Sequence, residues 1–513
     1  MVQGIMIQGT ASNVGKSILA TALCRMLAQD GYQVAPFKSW NMALNSYVTP
    51  QGGEIGCAQA IQADAAGINP TVKMQPLLVK PKGKGQSQVI VRGEPYGDFG
   101  LERKSSKYIN WALEIISDSL QDLAREYEVI VLEGAGSPAE INIKDQDLAN
   151  MKVAKLNQTP VLLVADIDRG GALASVVGTL KLLEPEEREL VQGIILNKFR
   201  GDFDLLKPGI EILEEKVGKP VVGVIPYLRD FRLPEEDNVS LASFTKQEAE
   251  VKIGIIKLPH ISNFTDFDAL ALEPQVALKY LERNDQLSGF DTIIIPGTKN
   301  TTADLEYLKE TGLAEKIIEL AEKGVSIIGI CGGYQMLGNK LLDSELTEGD
   351  KRVSRGLGLL DIETEFSPAK STYQVSAEIK SKQNFFSNLV GQQVTGYEIH
   401  MGQTSLGDQV EPIFRINYRS DQQVEINDGA CNKEGTIWGT YLHGLFANDQ
   451  FRREFINNLR SQKGLAKLDE DYSSSSEELK KNYNRLAEVV RENLDLELFY
   501  EILEGGEIRM VRK

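Results

Sequence analysis

The chain has 513 residues, 42% of them hydrophobic, and 73 acidic against 56 basic side chains give a formal net charge of -17 at pH 7. That length exceeds one hydrophobic core and predicts about two or three domains. The acidic balance excludes the basic excess that nucleic-acid binding needs, and no apolar run of about 18 residues offers a membrane span. The chain opens on the strand-like VQGIMIQG rather than on a basic region and a long apolar stretch, so a cytoplasmic protein is expected. Cys24, Cys57, Cys331 and Cys431 are scattered with no C-x-x-C pair, which argues against disulfides and structural zinc, and Cys24 and Cys57 read as small core residues.

Residues 1–230 alternate short β-rich runs with helical patterns, the rhythm of a parallel sheet with helices on both faces. The predicted strands are GIMIQG, QVAPFK, EVIVLEG, PVLLVADID, QGIILNKF and PVVGVIPY. After the first comes GTASNVGKS, Gly9 to Ser17, and then the helical pattern ILATALCRMLAQ. Strand, glycine loop, Lys-Ser and helix in that order specify a phosphate-binding loop, one residue longer than the common G-x4-GK-[ST] spacing. Its backbone N–H groups, with Gly9, Thr10 and Gly15 shaping the loop, would cradle phosphate oxygens. Lys16 would reach the β- and γ-phosphates, and Ser17 would bind Mg2+.

The metal needs a second anionic ligand at a neighbouring strand end, where EVIVLEGAGSPAE places Glu133. Glu54, in GGEIGCAQ, is the next candidate, and a solvated or capping acid explains it equally well. Asn197 ends QGIILN and is a candidate for hydrogen bonding a nucleotide base, with a strand-end turn as the plainer reading. Residues 231–250 are polar and acidic without sustained periodicity and read as a linker.

A second α/β series occupies 251–446, with strands VKIGIIKLP, DTIIIPGT, VSIIGIC and TIWGTYLH and a helix around Ala303 to Lys323. GICGG, Gly329 to Gly333, follows an apolar run, so Cys331 sits on a tight strand-to-helix turn in the manner of a nucleophile elbow. A helix over YQMLGNKLL would aim its N-terminus at the sulfur. Of three histidines, His443 closes TIWGTYLH and is the candidate base, while His260 and His400 lie in less strand-like settings and are candidates for substrate contact. Gly297, at the end of another strand, would supply with Gly332 the backbone N–H pair of an oxyanion hole. Residues 447–513 read as a helical extension, in which Ser475 and Glu478 fit a capping box and Leu486, Val489, Val490 and Leu494 form an apolar stripe.

GICGGYQMLG with a downstream YLHG resembles the class I glutamine amidotransferases, and GTASNVGKS with VLEGAG resembles the dethiobiotin synthetase group of P-loop ligases. Their fusion in this order resembles the cobyrinate amidases. FKSWNMALNS, GGEIGCAQAIQA, LPHISNFTDFD, PGTKNT and GYEIHMG point within these to the cobyric acid synthase family. The resemblance implies an α/β protein of two doubly wound domains with mainly parallel sheets, a P-loop synthetase domain over 1–230 and an amidotransferase domain over 251–446. It implies ATP with Mg2+, glutamine and a corrinoid as reactants. The reaction implied is amidation of the b, d, e and g propionates of adenosylcobyrinic acid a,c-diamide, with Cys331 as glutaminase nucleophile and His443 as its base.

Two positions depart from the family pattern. Leu445 stands where triad amidotransferases carry glutamate, so the third member is absent or supplied elsewhere, and Gln75 stands where asparagine is expected. The rival readings are the sister amidase acting on the a and c acetates and a P-loop ATPase switch with an inert amidotransferase-like domain. A polycarboxylate substrate would need local cations, for which Lys38, Lys80, Lys82, Lys84 and Arg92 lie close to the loop in sequence, although a solvated loop suits most of them.

Overall fold

Alternate residues of the first predicted strands enter two different cores. Ile5 and Ile7, Val129 and Val131, and Leu162 and Val164 pack into one core, whereas Met6, Ile130, Leu132, Leu163 and Ala165 pack into another. Side chains of a strand alternate between faces, so a run apolar at every position is a strand covered on both sides. The computed structural model describes residues 3–83, 86–100, 105–228, 249–349, 351–469 and 474–505.

The chain forms two compact units: Met1–Ala43 with Ile55–Pro234 and Glu477–Lys513, and Leu44–Glu54 with Glu235–Ser476. In the first, six parallel strands lie in the order Val221–Pro226, Val191–Phe199, Val161–Asp166, Gln3–Gly9, Val129–Glu133 and Val34–Phe37. All six predicted strands are in this sheet. The Lys16–Gln29 helix covers one face through Leu19, Leu23 and Leu27, and Ser106–Leu123 covers the other through Ile109, Ile116 and Leu120. A smaller sheet, Trp40–Met42 with Leu77–Gly83, Gln86–Val91 and Glu94–Phe99, was not foreseen.

The second unit has a sheet of seven strands whose parallel part is Val276–Leu281, Val251–Ile256, Thr292–Ile295, Ser326–Ile330 and Ile437–Thr440. An antiparallel sheet follows, built on the long strand Ile362–Ile379 paired to Gln393–Leu406 and Phe414–Arg419. The predicted helix over 303–323 is two helices, Thr301–Glu310 and Leu313–Glu322, because Gly312 adopts φ 72° between them.

The helices after residue 447 do not form one extension. Asp449–Gln462 packs through Phe451, Phe455, Ile456 and Leu459 into the core of the second unit. Ser475–Glu492 and Leu496–Gly505 pack through Leu486, Val490, Phe499 and Leu503 against the first sheet, where the Asp495 N–H donates to Val222 O at 2.8 Å. Ser475 opens its helix and bonds Asp449 Oδ1 at 2.9 Å, so it does not cap that helix as predicted. The 231–250 linker falls outside the described residues but for its last two. No described helix is long and apolar enough to cross a membrane.

Candidate functional site

In the second unit, the strand Ser326–Ile330 delivers Cys331 to its C-terminal end, where the Cys331 N–H donates to Thr440 O at 2.8 Å. The cysteine backbone lies at φ 52°, ψ -110°, a conformation that costs a non-glycine residue roughly 1–3 kcal/mol and persists only where the surroundings impose it. The glycines impose it: a Cβ on Gly333 would lie 1.9 Å from Ile295 O and one on Gly329 2.6 Å from the Tyr334 nitrogen. The following helix is only Gly332–Leu337, shorter than predicted, because Gly338 is extended and Lys340–Leu342 continues as a strand. A long helix dipole therefore does not face the sulfur, and the local charge comes from a side chain.

That side chain is His443. The strand Ile437–Thr440 ends before it, and His443 is instead fixed by paired backbone bonds with Tyr397 at 2.9 and 3.1 Å, with the Tyr397 ring stacked 5.2 Å from the imidazole. It stands beside Cys331, both groups flanking Gly297, and its Nδ1 lies 2.7 Å from Asp266 Oδ2. The other carboxylate oxygen of Asp266 accepts the Gly444 N–H at 2.8 Å. Burial alone would lower the His443 pKa, but the charge and hydrogen bond of Asp266, reinforced by Cys331, push it up to about 10. Asp266 is thus the third member that Leu445 is not; Leu445 is a buried core residue. The sequence signal was Asp266 itself, within LPHISNFTDFD, too far from His443 for a search of its flanks.

Gly297 is beside both groups. A Cβ there would lie 3.1 Å from His443 Cε1 and 3.7 Å from Cys331 Cβ, and one on Gly332 would meet the Thr298 methyl at 2.6 Å. The other two histidines are held in place. His260 Nδ1 pairs with Asp304 at 2.7 Å, and that hydrogen bond raises its pKa despite partial burial. His400 lies in the long Gln393–Leu406 strand, a more strand-like setting than expected, stacked 3.7 Å over Tyr441 with Nδ1 3.1 Å from Gly402 O and Nε2 3.7 Å from Glu398.

In the first unit, Lys16 Nζ donates to Ala11 O and to Gly136 O, both at 3.1 Å. Ser17 Oγ lies 2.8 Å from Glu133 Oε1, an oxygen it shares with Lys38 Nζ at 2.8 Å, while Gln62 Nε2 donates to Oε2 at 2.6 Å. Burial works against the Glu133 charge, but the Lys38 ammonium and the three hydrogen bonds hold its carboxyl below the usual carboxylate range. Ser17 and Glu133 are the hard oxygen donors that suit Mg2+, an ion that takes one or two protein oxygens and completes its shell from phosphates and water. No cluster of three acidic, His or Cys side chains able to hold a metal exists among the described residues.

Three expected ligands have protein partners. Glu54 falls within the second unit and pairs there with Lys370. The Thr10 N–H continues the sheet by donating to Val164 O at 2.8 Å, which takes it out of the phosphate cradle. Asn197 Nδ2 donates to Val14 O at 2.8 Å, which makes Asn197 a clamp on the loop. Gly15 is the residue that allows this, since at φ 102° a Cβ would lie 2.1 Å from that Nδ2. Gly9 ends its strand beneath the loop, with no room for a Cβ against Val14. Gln75, the departure from the family pattern, accepts the Gly56 N–H and donates to Gln59 at 2.7 Å. Arg92 bonds Ser119 at 3.0 Å, and Lys38 serves Glu133.

Residues 5–241 match the CobQ/CobB/MinD/ParA nucleotide binding domain, and residues 252–451 match the CobB/CobQ-like glutamine amidotransferase domain. A protein of Desulforamulus reducens named cobyric acid synthase is 49% identical over 509 residues, which cover 99% of each chain. The cobyric acid synthase of Pelotomaculum thermopropionicum is 52% identical over 98% of this chain and 97% of its own, and that of Moorella thermoacetica 53% identical over 91% and 90%. The chain belongs to the cobyric acid synthase family. Members of the cobyric acid synthase family carry out glutamine-dependent amidation in cobalamin biosynthesis, and both domains of the family are present here.

Membership gives Asp266 a measurable task. Asp266→Asn is expected to lower glutamine hydrolysis by roughly 10²- to 10⁴-fold, the range for removing the acid behind a catalytic histidine. The sign of the pH effect follows from the raised pKa: with the carboxylate gone, burial is left to dominate and His443 loses its proton at lower pH. The alkaline limb of the glutaminase pH profile should therefore move toward acid. An unchanged profile would remove Asp266 from the site.

Proposed function

We propose that the protein is the ATP- and glutamine-dependent enzyme that amidates the b, d, e and g propionates of adenosylcobyrinic acid a,c-diamide to give adenosylcobyric acid. The observation that carries this reading is Cys331 beside the hydrogen-bonded His443–Asp266 pair, on the same chain as a phosphate loop with Lys16 and the Ser17–Glu133 pair. Cys331 sulfur attacks the side-chain carbonyl carbon of glutamine, and the N–H groups of Gly297 and Gly332 receive the oxyanion. His443 passes its proton to the departing nitrogen, releasing ammonia and leaving a thioester. Water, deprotonated by His443, then hydrolyses the thioester to glutamate and restores the thiol.

At the second site a propionate oxygen attacks the γ-phosphorus of ATP, ADP leaves, and an acyl phosphate forms. Ammonia then displaces phosphate from its carbonyl carbon. Lys16 balances charge on the transferring phosphoryl oxygens. Ser17 and Glu133 are the residues that would hold Mg2+, which supplies further charge neutralisation when bound. Lys38 and Gln62 keep Glu133 ionised and oriented for that role. The test is ATP cleavage by the purified protein: ADP should form only when the corrinoid is present, and over many turnovers only when a nitrogen source is supplied as well. ADP formation without corrinoid and indifferent to glutamine would support a P-loop switch instead.

A further inference from the structure

Within the first unit, the sheet presents two flanks to the phosphate loop. On one, Asn197 and Lys198 follow the Val191–Phe199 strand core and bind Val14 O and Asn13 O of the loop. On the other, the segments after Val34–Phe37 and Val129–Glu133 enclose a cavity of about 750 Å³, lined by Trp40, Tyr108, Gly136, Ile143, Asn150 and Lys152 among others. Ligands of open α/β sheets bind outside the carboxyl ends of the strands, and this cavity is in that place. Gly136 O accepts Lys16 Nζ at 3.1 Å, so the phosphate lysine stands at the cavity edge.

The lining includes the carboxylates of Glu140, Asp145, Asp147, Glu184 and Glu187, and beside them three kinds of surface that bear on a ligand. The first is apolar: Ile143 is 48% exposed, and the Tyr108 ring continues into Trp111 at 5.3 Å and Phe99 at 5.6 Å. The second is one available cation. Asp147 is consumed by the N–H groups of Ala149, Asn150 and Lys152, and Glu187 by Lys144 and the Glu184 N–H. Lys152 Nζ donates to Asp145 O and has no carboxylate partner among the described residues. The third is a buried acceptor: Asn150 is 6% exposed, its Nδ2 donates to Ala135 O at 2.6 Å, and its Oδ1 has no partner among the described residues. A lone buried oxygen of this kind is satisfied by an N–H donor and repels a carboxylate, so it selects an amide.

An apolar wall, a cation for a carboxylate and an acceptor for an amide together fit a macrocycle whose rim carries both acids and amides. We propose that this cavity seats the corrin ring, with its apolar face on Trp40 and Ile143, a propionate on Lys152 and a peripheral carboxamide on Asn150 Oδ1. This rests on the function proposed above and adds where the corrinoid lies and how acid and amide arms are told apart. Lys152 is a positioning residue here; it touches an arm that is not reacting.

Equilibrium dialysis of the full-length protein, followed by the visible absorbance of the corrinoid, tests it. Lys152→Met should weaken binding of cobyrinic acid a,c-diamide by about 10- to 100-fold, the size of one charge-assisted hydrogen bond, while Lys152→Arg should restore most of it. The loss should be smaller for the product, which carries four fewer carboxylates, whereas general damage to the fold would weaken both ligands alike. Equal affinity of wild type and Lys152→Met for the diamide overturns the inference, as does mutual exclusion of corrinoid and MgATP. Absence of corrinoid binding by the wild type overturns the functional reading itself.

Discussion

Cys331→Ala is expected to abolish amidation supported by glutamine, with a fall of at least about 10⁴-fold, while amidation supported by ammonium salts continues. The reason is the division of chemistry between the two sites. The sulfur of Cys331 takes part only in freeing ammonia, and the histidine beside it, His443, is anchored by Asp266 within the same unit. Alanine removes the nucleophile without adding volume at a residue that is 7% exposed, so the elbow keeps its shape. Ammonia-dependent turnover at alkaline pH, where more of the free base is present, is the control. Loss of both rates would assign the thiol to the amidation step and refute the division.

Lys16→Ala should show the opposite pattern. Corrinoid-dependent ATP cleavage and amidation should fall by roughly 10³-fold or more from either nitrogen source, because no other side chain is placed to balance the transferring phosphoryl group from within the loop. Glutamine hydrolysis at Cys331 should survive. In this structure the ammonium donates to Ala11 O of its own loop and to Gly136 O. Glutaminase assays and ADP release measured on the same preparation read both halves. A Lys16→Ala protein that still amidates at the wild-type rate would take the phosphate loop out of the reaction.

The parallel sheets were legible because their strands are short, apolar at successive positions and punctuated by glycine, as in Gln3–Gly9 and Ser326–Ile330. The antiparallel sheet was not, since Ile362–Ile379 alternates irregularly, carries Pro368 and shifts register between Glu365 and Lys370. The elbow was legible in Gly329 to Gly333, because only glycine fits where backbone atoms approach so closely. Asp266 escaped because the acid behind His443 comes from the other end of the amidotransferase unit, on the short turn Phe264–Phe267, and contact across such a separation leaves no local pattern. The pairing of Glu54 with Lys370 is likewise a long-range contact that no local pattern records. Asn197 was correctly placed at a strand end, but its partner, Val14 O, depends on tertiary structure.

The most direct test of the central claim is mass spectrometry of the corrinoid after incubation of adenosylcobyrinic acid a,c-diamide with the protein, MgATP and glutamine labelled with ¹⁵N at the side-chain amide. Four labelled carboxamides should appear on the propionates, with none when Cys331 is alanine and only unlabelled ammonium is supplied. A corrinoid recovered unchanged, or amidated without the label in the wild-type reaction, would contradict the account.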